Sequence, residues 1–317
     1  MSQQRTFGDL AWDRKKKVTR REQFLAEMDS VIPWRDLVRL VAPHYPKAKT
    51  GRPAMPIETM LRIYFAQQWF NLSDPAAEDA LYDSESIRRF VKVDLSDDAI
   101  PDESTILRFR HLLEQHRLTE AIFAHVRDLL VTKGLLWQKG TIVDATIIHA
   151  PSSTKNGAET RDPEMKQTRK GKQWYFGMKA HVGTDRRGLV HSLVTTDAAA
   201  ADINHVSDLL HGEETVLYGD SAYRAKWLED TCRSLGIRYR VNRRGQLSDY
   251  QRAINRRWSQ QRARGEHAFH VVKRLWGFTK VRYRGLAKNT ARLHTMFALA
   301  NLYMMRKKLR PAGATWL

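Results

Sequence analysis

The stretch that decides the fold is Thr141-Ile142-Val143-Asp144-Ala145-Thr146-Ile147-Ile148. Its many β-branched residues are typical of a buried strand. Asp144 is the exception, because a carboxylate in an apolar strand costs free energy unless a positive charge compensates it. A divalent metal ion bound through oxygen ligands is a common compensation, and a charge at the edge of a sheet is the alternative. The stretch therefore predicts a β-sheet and a candidate metal ligand.

Two further carboxylates have suitable local settings. Asp220 follows the short apolar run 216–219, which ends at a glycine, and Glu266 lies in a basic helical pattern that spans 256–276. Two strand aspartates and one helical glutamate can together hold metal ions for phosphodiester chemistry. The alternatives are a helix cap for Asp220 and a surface ion pair for Glu266. The spacing of the three residues does not decide between these interpretations.

The helical pattern around Glu266 predicts its neighbours. Arg262 and Lys273 lie four residues before and seven residues after it, on the same helical face. They could clamp a phosphate near the metal, or Arg262 could form an ordinary ion pair with Glu266. On the predicted strand 175–183, Lys179 and His181 share one face, where a substrate role competes with a structural one.

The charge balance predicts a polyanionic partner. The chain of 317 residues has a formal net charge of +19 and a pI near 10.1. No apolar run has the length of a membrane span, and Arg14-Lys15-Lys16-Lys17 is not followed by an apolar anchor, so nucleic acid is favoured over a membrane. Cys232 is the only cysteine, which excludes an internal disulfide and fits a reducing cytoplasm.

Most of this charge lies in one segment. Residues 237–292 contain sixteen lysines and arginines against two acids, together with aromatic residues such as Trp276 and Phe278 that could stack on bases. A solvated helix surface is the alternative, but the imbalance is too one-sided for a surface of ion pairs. The predicted DNA-contacting residues are Lys179, His181, Arg256, Arg257, Arg262, Arg264, Lys273 and Arg274.

The periodicity changes once along the chain. Residues 1–136 read as an all-helical domain, with capping signals at Thr19, Asp74 and Asp102. Residues 137–317 read as an α/β domain. Its predicted strands are 141–148, 175–183, 189–196, 215–219 and 237–241, and its predicted helices are 203–211, 223–235, 256–276 and 290–308. The polar stretch 150–173 is predicted to be a long loop, in which Asp162 and Glu164 are loop charges.

Several motifs resemble the DDE transposases of the bacterial insertion-sequence-five family. They are Gly140 to Ile148 with Ala150 to Asn156, Arg161 to Met165, Gly177-Met178-Lys179-Ala180-His181, Gly219-Asp220-Ser221-Ala222-Tyr223, Arg262 to His267 with Lys273, and Leu299 to Leu302. The stretches Glu58 to Ile63 and Arg108 to Leu113 resemble the helical leader of that family. The likeness runs over nearly the whole chain. Ser259 departs from the family pattern, which has a tyrosine three residues before the arginine.

The resemblance implies a ribonuclease-H-like catalytic core, a mixed five-stranded sheet flanked by helices. Asp144, Asp220 and Glu266 would be its catalytic, metal-binding triad for two Mg²⁺ ions, with Mn²⁺ able to substitute. The implied activity is to bind the terminal inverted repeats of an insertion sequence, cleave its ends and join the 3′-hydroxyls to target DNA. A homodimer or higher oligomer on the bacterial nucleoid is expected. The alternative is a catalytically inactive DNA-binding inhibitor or architectural protein.

Overall fold

The computed structural model describes residues 14–46, 53–95, 98–155 and 160–310. The first part is helical, as predicted. It contains α1 (Arg20–Val31), α2 (Trp34–Val41), a 3-10 turn (Ala42–His44), α3 (Ile57–Phe70), α4 (Asp74–Asp83), α5 (Glu85–Val91), α6 (Glu103–Gln115) and α7 (Leu118–Thr132). Thr19 and Glu22 form a capping box, and Asp102 caps α6. The cap predicted at Asp74 is wrong by one residue, because Ser73 caps α4.

The second part is built on a mixed sheet. Its strands are β1 (Thr141–His149), β2 (Lys166–Lys170), β3 (Gln173–Thr184), β4 (Val190–Asp197), β5 (Val216–Gly219) and β6 (Arg238–Val241). β3 pairs antiparallel with both β1 and β4, whereas β1 pairs parallel with β5, and β5 pairs parallel with β6. The main strand order is therefore β4-β3-β1-β5-β6, which agrees with the predicted ribonuclease-H-like core.

The sheet has one strand more than predicted. β2 lies inside the stretch predicted to be a loop and forms a hairpin with β3 across Gly171, which has a φ of +63°. The residues of β2 are polar on both faces, so they lack the alternation by which a strand is recognised in a sequence. Asn156 and Gly157 of the same predicted loop lie outside the described residues.

The helices of the second part differ from the prediction mainly after β6. They comprise a 3-10 turn (Asp202–His205), α8 (Val206–Leu209), a 3-10 turn (Ser221–Tyr223), α9 (Lys226–Ser234), α10 (Asp249–Arg262), a 3-10 turn (Ala263–Gly265), α11 (Glu266–Phe269), a π-helical turn (His270–Leu275) and α12 (Leu286–Leu309). The helix predicted at 256–276 is thus three short helical pieces after a longer α10. Ser248 starts α10 early through a capping box with Gln251.

Both faces of the sheet are covered by helices. Val143 packs on one face among residues of α8 and α9. On the other face, Ile148 and Ala180 belong to a core that is continuous with the amino-terminal helices and with α12. Polar contacts cross the same boundary, including Glu27 to Arg306 at 2.7 Å. The helical part and the sheet therefore share one hydrophobic core.

Within these described residues, no helix combines the length and the apolar character needed to span a membrane.

Candidate active site

Asp144 and Asp220 lie at matching positions on two neighbouring parallel strands. Ile142 of β1 is in register with Tyr218 of β5, and each aspartate comes two residues later. Asp144 continues within β1, whereas β5 ends at Gly219 and Asp220 caps the next turn by accepting a hydrogen bond from the N–H of Ala222 at 2.6 Å. The parallel pairing thus brings the two aspartates to corresponding positions along neighbouring strands, and their joint role as metal ligands stays a prediction.

Glu266 begins α11, which approaches β1 from outside the sheet. Gly265, directly before it, lies against β1, where a side chain would approach Ile142 Cγ2 within 3.1 Å and Thr184 Oγ1 within 3.2 Å. The absence of a side chain at Gly265 therefore allows the backbone before Glu266 to pack closely against the strand. The π-helical turn that follows at His270–Leu275 is a feature often found at functional sites.

The carboxylates affect one another electrostatically. Burial raises the pKa of Asp144 to about 6, with Asp220 and Glu266 contributing, while the N–H of Ala145 and the charge of Arg262 act in the opposite direction. The N–H of Ala145 donates to Asp144 Oδ1 at 2.9 Å. The nearby protein groups therefore do not fully offset the free-energy cost of a negative charge on this half-buried carboxylate beside two other acids. This arrangement of oxygen donors suits a hard divalent cation.

The three carboxylates do not form a complete metal-binding cluster. Across the described part of the chain, no three histidine, cysteine or acidic side chains are positioned to hold a metal ion together. The side chain of Glu266 is 58% exposed and faces Arg262, whose Nη1 lies 3.8 Å from Glu266 Oε1. Asp144 and Asp220 thus provide the fixed part of the candidate site, and Glu266 would have to turn toward them.

Arg262 lies where the sequence predicted it, beside Glu266. Its side chain is 24% exposed, and its buried Nε has no hydrogen-bond partner among the residues that the structure describes. Its charge also acts on Asp144 and on Tyr223. The guanidinium group is therefore close to the carboxylates and has hydrogen-bonding capacity left for a ligand.

Lys273 contacts β1 two and three residues after Asp144. It lies in the π-helical turn, and its Nζ donates to the carbonyl of Ile147 at 2.8 Å and to Thr146 Oγ1 at 3.0 Å. Burial lowers the pKa of Lys273, with Lys170 and Arg274 contributing. Lys273 therefore holds β1 in place close to Asp144, and its contact with a phosphate stays a prediction.

Lys179 and His181 share one strand face, as predicted, but they do not face solvent. His181 is fully buried, and Lys179 donates to the carbonyl of Ala200 at 2.6 Å. Both side chains approach Asp202 Oδ1, Lys179 Nζ at 2.9 Å and His181 Nδ1 at 3.7 Å. The predicted direct contact of His181 with DNA is thus incompatible with its burial, and Lys179 is engaged within the protein.

Asp202 and Tyr223 are residues that the sequence analysis missed. The turn that begins at Asp202 contacts the turn that begins at Ser221, and both follow strand ends. The hydroxyl of Tyr223 is buried, and no described residue forms a hydrogen bond with it. Burial raises the pKa of that hydroxyl, and the charges of Asp202, Asp144 and Asp220 contribute. In the sequence, the position of Tyr223 three residues after Asp220 could have indicated that it lies near the site. No sequence pattern indicated Asp202.

The remaining predicted DNA contacts are on the surface. Arg256, Arg257, Arg264 and Arg274 are exposed. The aromatic part of that prediction is wrong for Trp276 and Phe278, because both are core residues with exposures of 5% and 0%. Arg292 of the same segment is buried as well. Only part of the basic segment is therefore available to a polyanion.

Asp162 and Glu164 have a role that the sequence did not show. Asp162 Oδ2 accepts a hydrogen bond from the N–H of Gly285 at 2.6 Å, and Glu164 Oε2 accepts one from the N–H of Leu286 at 2.7 Å. These N–H groups belong to the start of α12, where negative charge is favourable. The two acids therefore fix the segment after β1 onto α12 and are not free loop charges.

A comparison with protein families accounts for both parts of the chain. A family model described as "Transposase DDE domain" matches residues 138–302, which is more than half of the chain. The chain belongs to the DDE transposase family. A second model, described as "Transposase domain (DUF772)", matches residues 12–112 of this transposase. The first match contains the whole sheet and all three candidate carboxylates, and the second covers most of the amino-terminal helices.

A comparison with solved structures found a distant likeness. The chain is similar to one in a structure titled "Crystal structure of the Mos1 Strand Transfer Complex", with 11% sequence identity and a TM-score of 0.29. The match covers 83% of this transposase and 79% of the other chain. At that TM-score the likeness supports no conclusion about this transposase.

Proposed function

We propose that this transposase binds the terminal inverted repeats of an insertion sequence, cleaves phosphodiesters at its ends and transfers the 3′-hydroxyl ends into target DNA. The observation that carries the proposal is the pair formed by Asp144 within β1 and Asp220 directly after the neighbouring parallel strand β5, with Glu266 close enough to act on Asp144 electrostatically. We further assign the chain to the insertion-sequence-five group on its sequence motifs, and we place its action on the bacterial nucleoid.

In this proposal Asp144, Asp220 and Glu266 would hold two Mg²⁺ ions. Bound metal would activate the attacking oxygen and stabilise charge on the leaving oxygen. The rigid strands position Asp144 and Asp220, while Glu266 reaches them by leaving its ion pair with Arg262. Arg262, which then has its guanidinium free, binds the phosphate of the strand that is cut.

The surrounding residues keep this arrangement in place. Lys273 fixes the part of β1 that follows Asp144 through Thr146 and Ile147. Tyr223 and Asp202 provide polar groups near the two aspartates. The exposed arginines Arg256 and Arg257 contribute to DNA affinity from α10, and the amino-terminal helices provide end recognition and the contacts of a homodimer or higher oligomer.

The test is cleavage of a supercoiled plasmid that carries the element. The purified protein should nick the plasmid at the element ends with Mg²⁺ or Mn²⁺ and should not do so in EDTA. An Asp220→Asn variant should bind the same DNA without nicking it. If the wild-type protein binds the ends but nicks them with neither metal, it is a DNA-binding protein without this activity.

A further inference from the structure

The hairpin of β2 and β3 extends beyond the body of the sheet. Its strands pair from Lys166 with Gly177 to Lys170 with Gln173. β1 and β4 pair with β3 only from Gly177 and Met178 onward. Residues 166–176 therefore form a two-stranded ribbon past the carboxyl end of β1. It is exposed on much of both faces, and its turn is made by Gly171 and Lys172.

The hairpin is strongly basic. Residues 166–175 contain Lys166, Arg169, Lys170 and Lys172 and no acid. Lys166 pairs with Asp197 at 3.1 Å, whereas no ion pair with an acid is found for the other three within the described residues. A ribbon with this charge and so few internal partners is complementary to a polyanion.

The hairpin also presents a large aromatic side chain to solvent. Trp174 is 64% exposed, and it lies directly across the hairpin from Arg169, whose guanidinium carbon is 5.9 Å from its ring centroid. Phe176, two residues along the same face, is half-buried against the core. Trp174 therefore contributes little to the fold, and its flat ring is available for stacking.

We propose that this hairpin is an arm that contacts duplex DNA beside the cleavage site, with Arg169, Lys170 and Lys172 on phosphates and Trp174 stacked at an opened base step. The inference rests on the proposed function, because it needs DNA at the carboxylates. A two-stranded ribbon fits a DNA groove, and apolar side chains that enter a groove can separate neighbouring base pairs. The charge of the hairpin favours DNA over a second protein as its partner.

The distance along β3 defines which DNA the hairpin would reach. Asp144 pairs with Val182, and Trp174 lies eight residues before Val182 on the same strand. At about 3.3 Å per residue this is about 26 Å, which is the length of about eight base pairs. This straight-strand length is an upper limit, so Trp174 would act on DNA within about eight base pairs of the cleavage site.

Binding to a 40-base-pair duplex, with and without one central mismatch, tests the proposal in EDTA buffer. Because a mismatch is easier to open, the wild-type protein should bind the mismatched duplex more tightly. Trp174→Ala should remove this preference and weaken binding to the mismatched duplex roughly 5- to 150-fold, with the salt dependence unchanged. Lys170→Ala with Lys172→Ala should instead reduce the slope of log affinity against log salt by about 1.8.

Matched variants control for exposure and charge. Trp227→Ala removes another half-exposed tryptophan, and Lys133→Ala with Lys139→Ala removes two exposed lysines far from the hairpin in sequence. Both controls should bind like the wild-type protein. If the wild-type protein binds but the hairpin variants match it on both duplexes, the hairpin proposal alone is overturned. If the wild-type protein binds neither duplex, the proposed function fails with it.

Discussion

Asp144 lies two residues after Ile142, and Asp220 lies two residues after Tyr218. Ile142 and Tyr218 are in register on neighbouring parallel strands. A strand register is fixed by main-chain hydrogen bonds, so the spacing of these carboxylates does not depend on flexible side-chain packing. Glu266 lacks this constraint, since it is exposed and paired with Arg262. The candidate site thus consists of a rigid pair and a third acid that can change partner.

The first prediction concerns the three acids. Changing Asp144, Asp220 or Glu266 singly to Ala should abolish metal-dependent cleavage and leave DNA binding intact, because the ligands act together while affinity comes mainly from lysine and arginine. Plasmid nicking and duplex binding, measured on the same preparations, check this. Substantial Mg²⁺-dependent nicking by one variant would remove that residue from the site.

The second prediction concerns Arg262. Arg262→Ala should slow cleavage and loosen the complex with end DNA, yet leave Mn²⁺ binding in place, because its guanidinium is near the carboxylates without being a ligand. Arg262→Lys should restore only part of the rate, since an ammonium group cannot reproduce a bidentate phosphate contact. If Arg262 is only an ion-pair partner, a pre-formed complex of Arg262→Ala would cut at the wild-type rate.

The sequence predicted the strands that position Asp144 and Asp220 because the signals were local. The β-branched run around Asp144 and the apolar run before Asp220 identify their strands without further information. The helical first part and the α/β character of the second part followed from the change in periodicity, whereas the mixed sheet was implied by the family resemblance. β2 was missed because its register comes from pairing with β3 and not from an apolar pattern of its own.

The surroundings of Lys273 and His181 are set by tertiary structure. Helical spacing assumed a continuous α-helix, and the π-helical turn at His270–Leu275 breaks that assumption. Strand alternation gave the correct face for His181 but could not show that the turn beginning at Asp202 covers it. In both cases the deciding neighbour is distant in sequence, so no local pattern contains it.

The third prediction concerns the exposed part of the basic segment. If the segment neutralises about six to ten phosphates, affinity should fall by about 10³–10⁵ between 50 and 200 mM salt. Arg256→Ala with Arg257→Ala should reduce the salt slope by about 1.8, because both side chains are exposed on α10. Titration of duplex binding against salt measures this. An unchanged slope would mean that α10 faces away from DNA.

The fourth prediction concerns acid stability. His191 is buried, with its Nε2 3.2 Å from Thr141 Oγ1, and burial lowers the pKa of His191 to about 3, with His211 and Arg127 contributing. Since an unfolded histidine has a pKa near 6.5, the unfolded state takes up its proton first. The contribution of neutral His191 to the free energy of unfolding is complete above about pH 6.5 and is lost as the pH falls toward 3.

At pH 5 this loss should amount to about 2 kcal/mol of the free energy of unfolding relative to pH 7.5. Urea unfolding at the two pH values measures it. His191→Gln should show a loss smaller by about that amount, whereas a change at the exposed His267 should leave it as in the wild-type protein. Equal losses in the wild-type protein and His191→Gln would assign the acid sensitivity to other groups.

The last prediction separates Lys273 from its neighbour Arg274. Lys273 donates to Thr146 and Ile147 of β1, whereas Arg274 is exposed. Lys273→Met should lower the free energy of unfolding by about 1–3 kcal/mol, because it removes a charged donor from partly buried acceptors, and should leave the salt slope of DNA binding unchanged. Arg274→Ala should leave the free energy of unfolding as in the wild-type protein and reduce the salt slope of DNA binding by about 0.9. Urea unfolding and salt titration of both variants provide the comparison. A stable Lys273→Met protein with a reduced slope would show that Lys273 leaves β1 for a phosphate when DNA binds, as helical spacing first indicated.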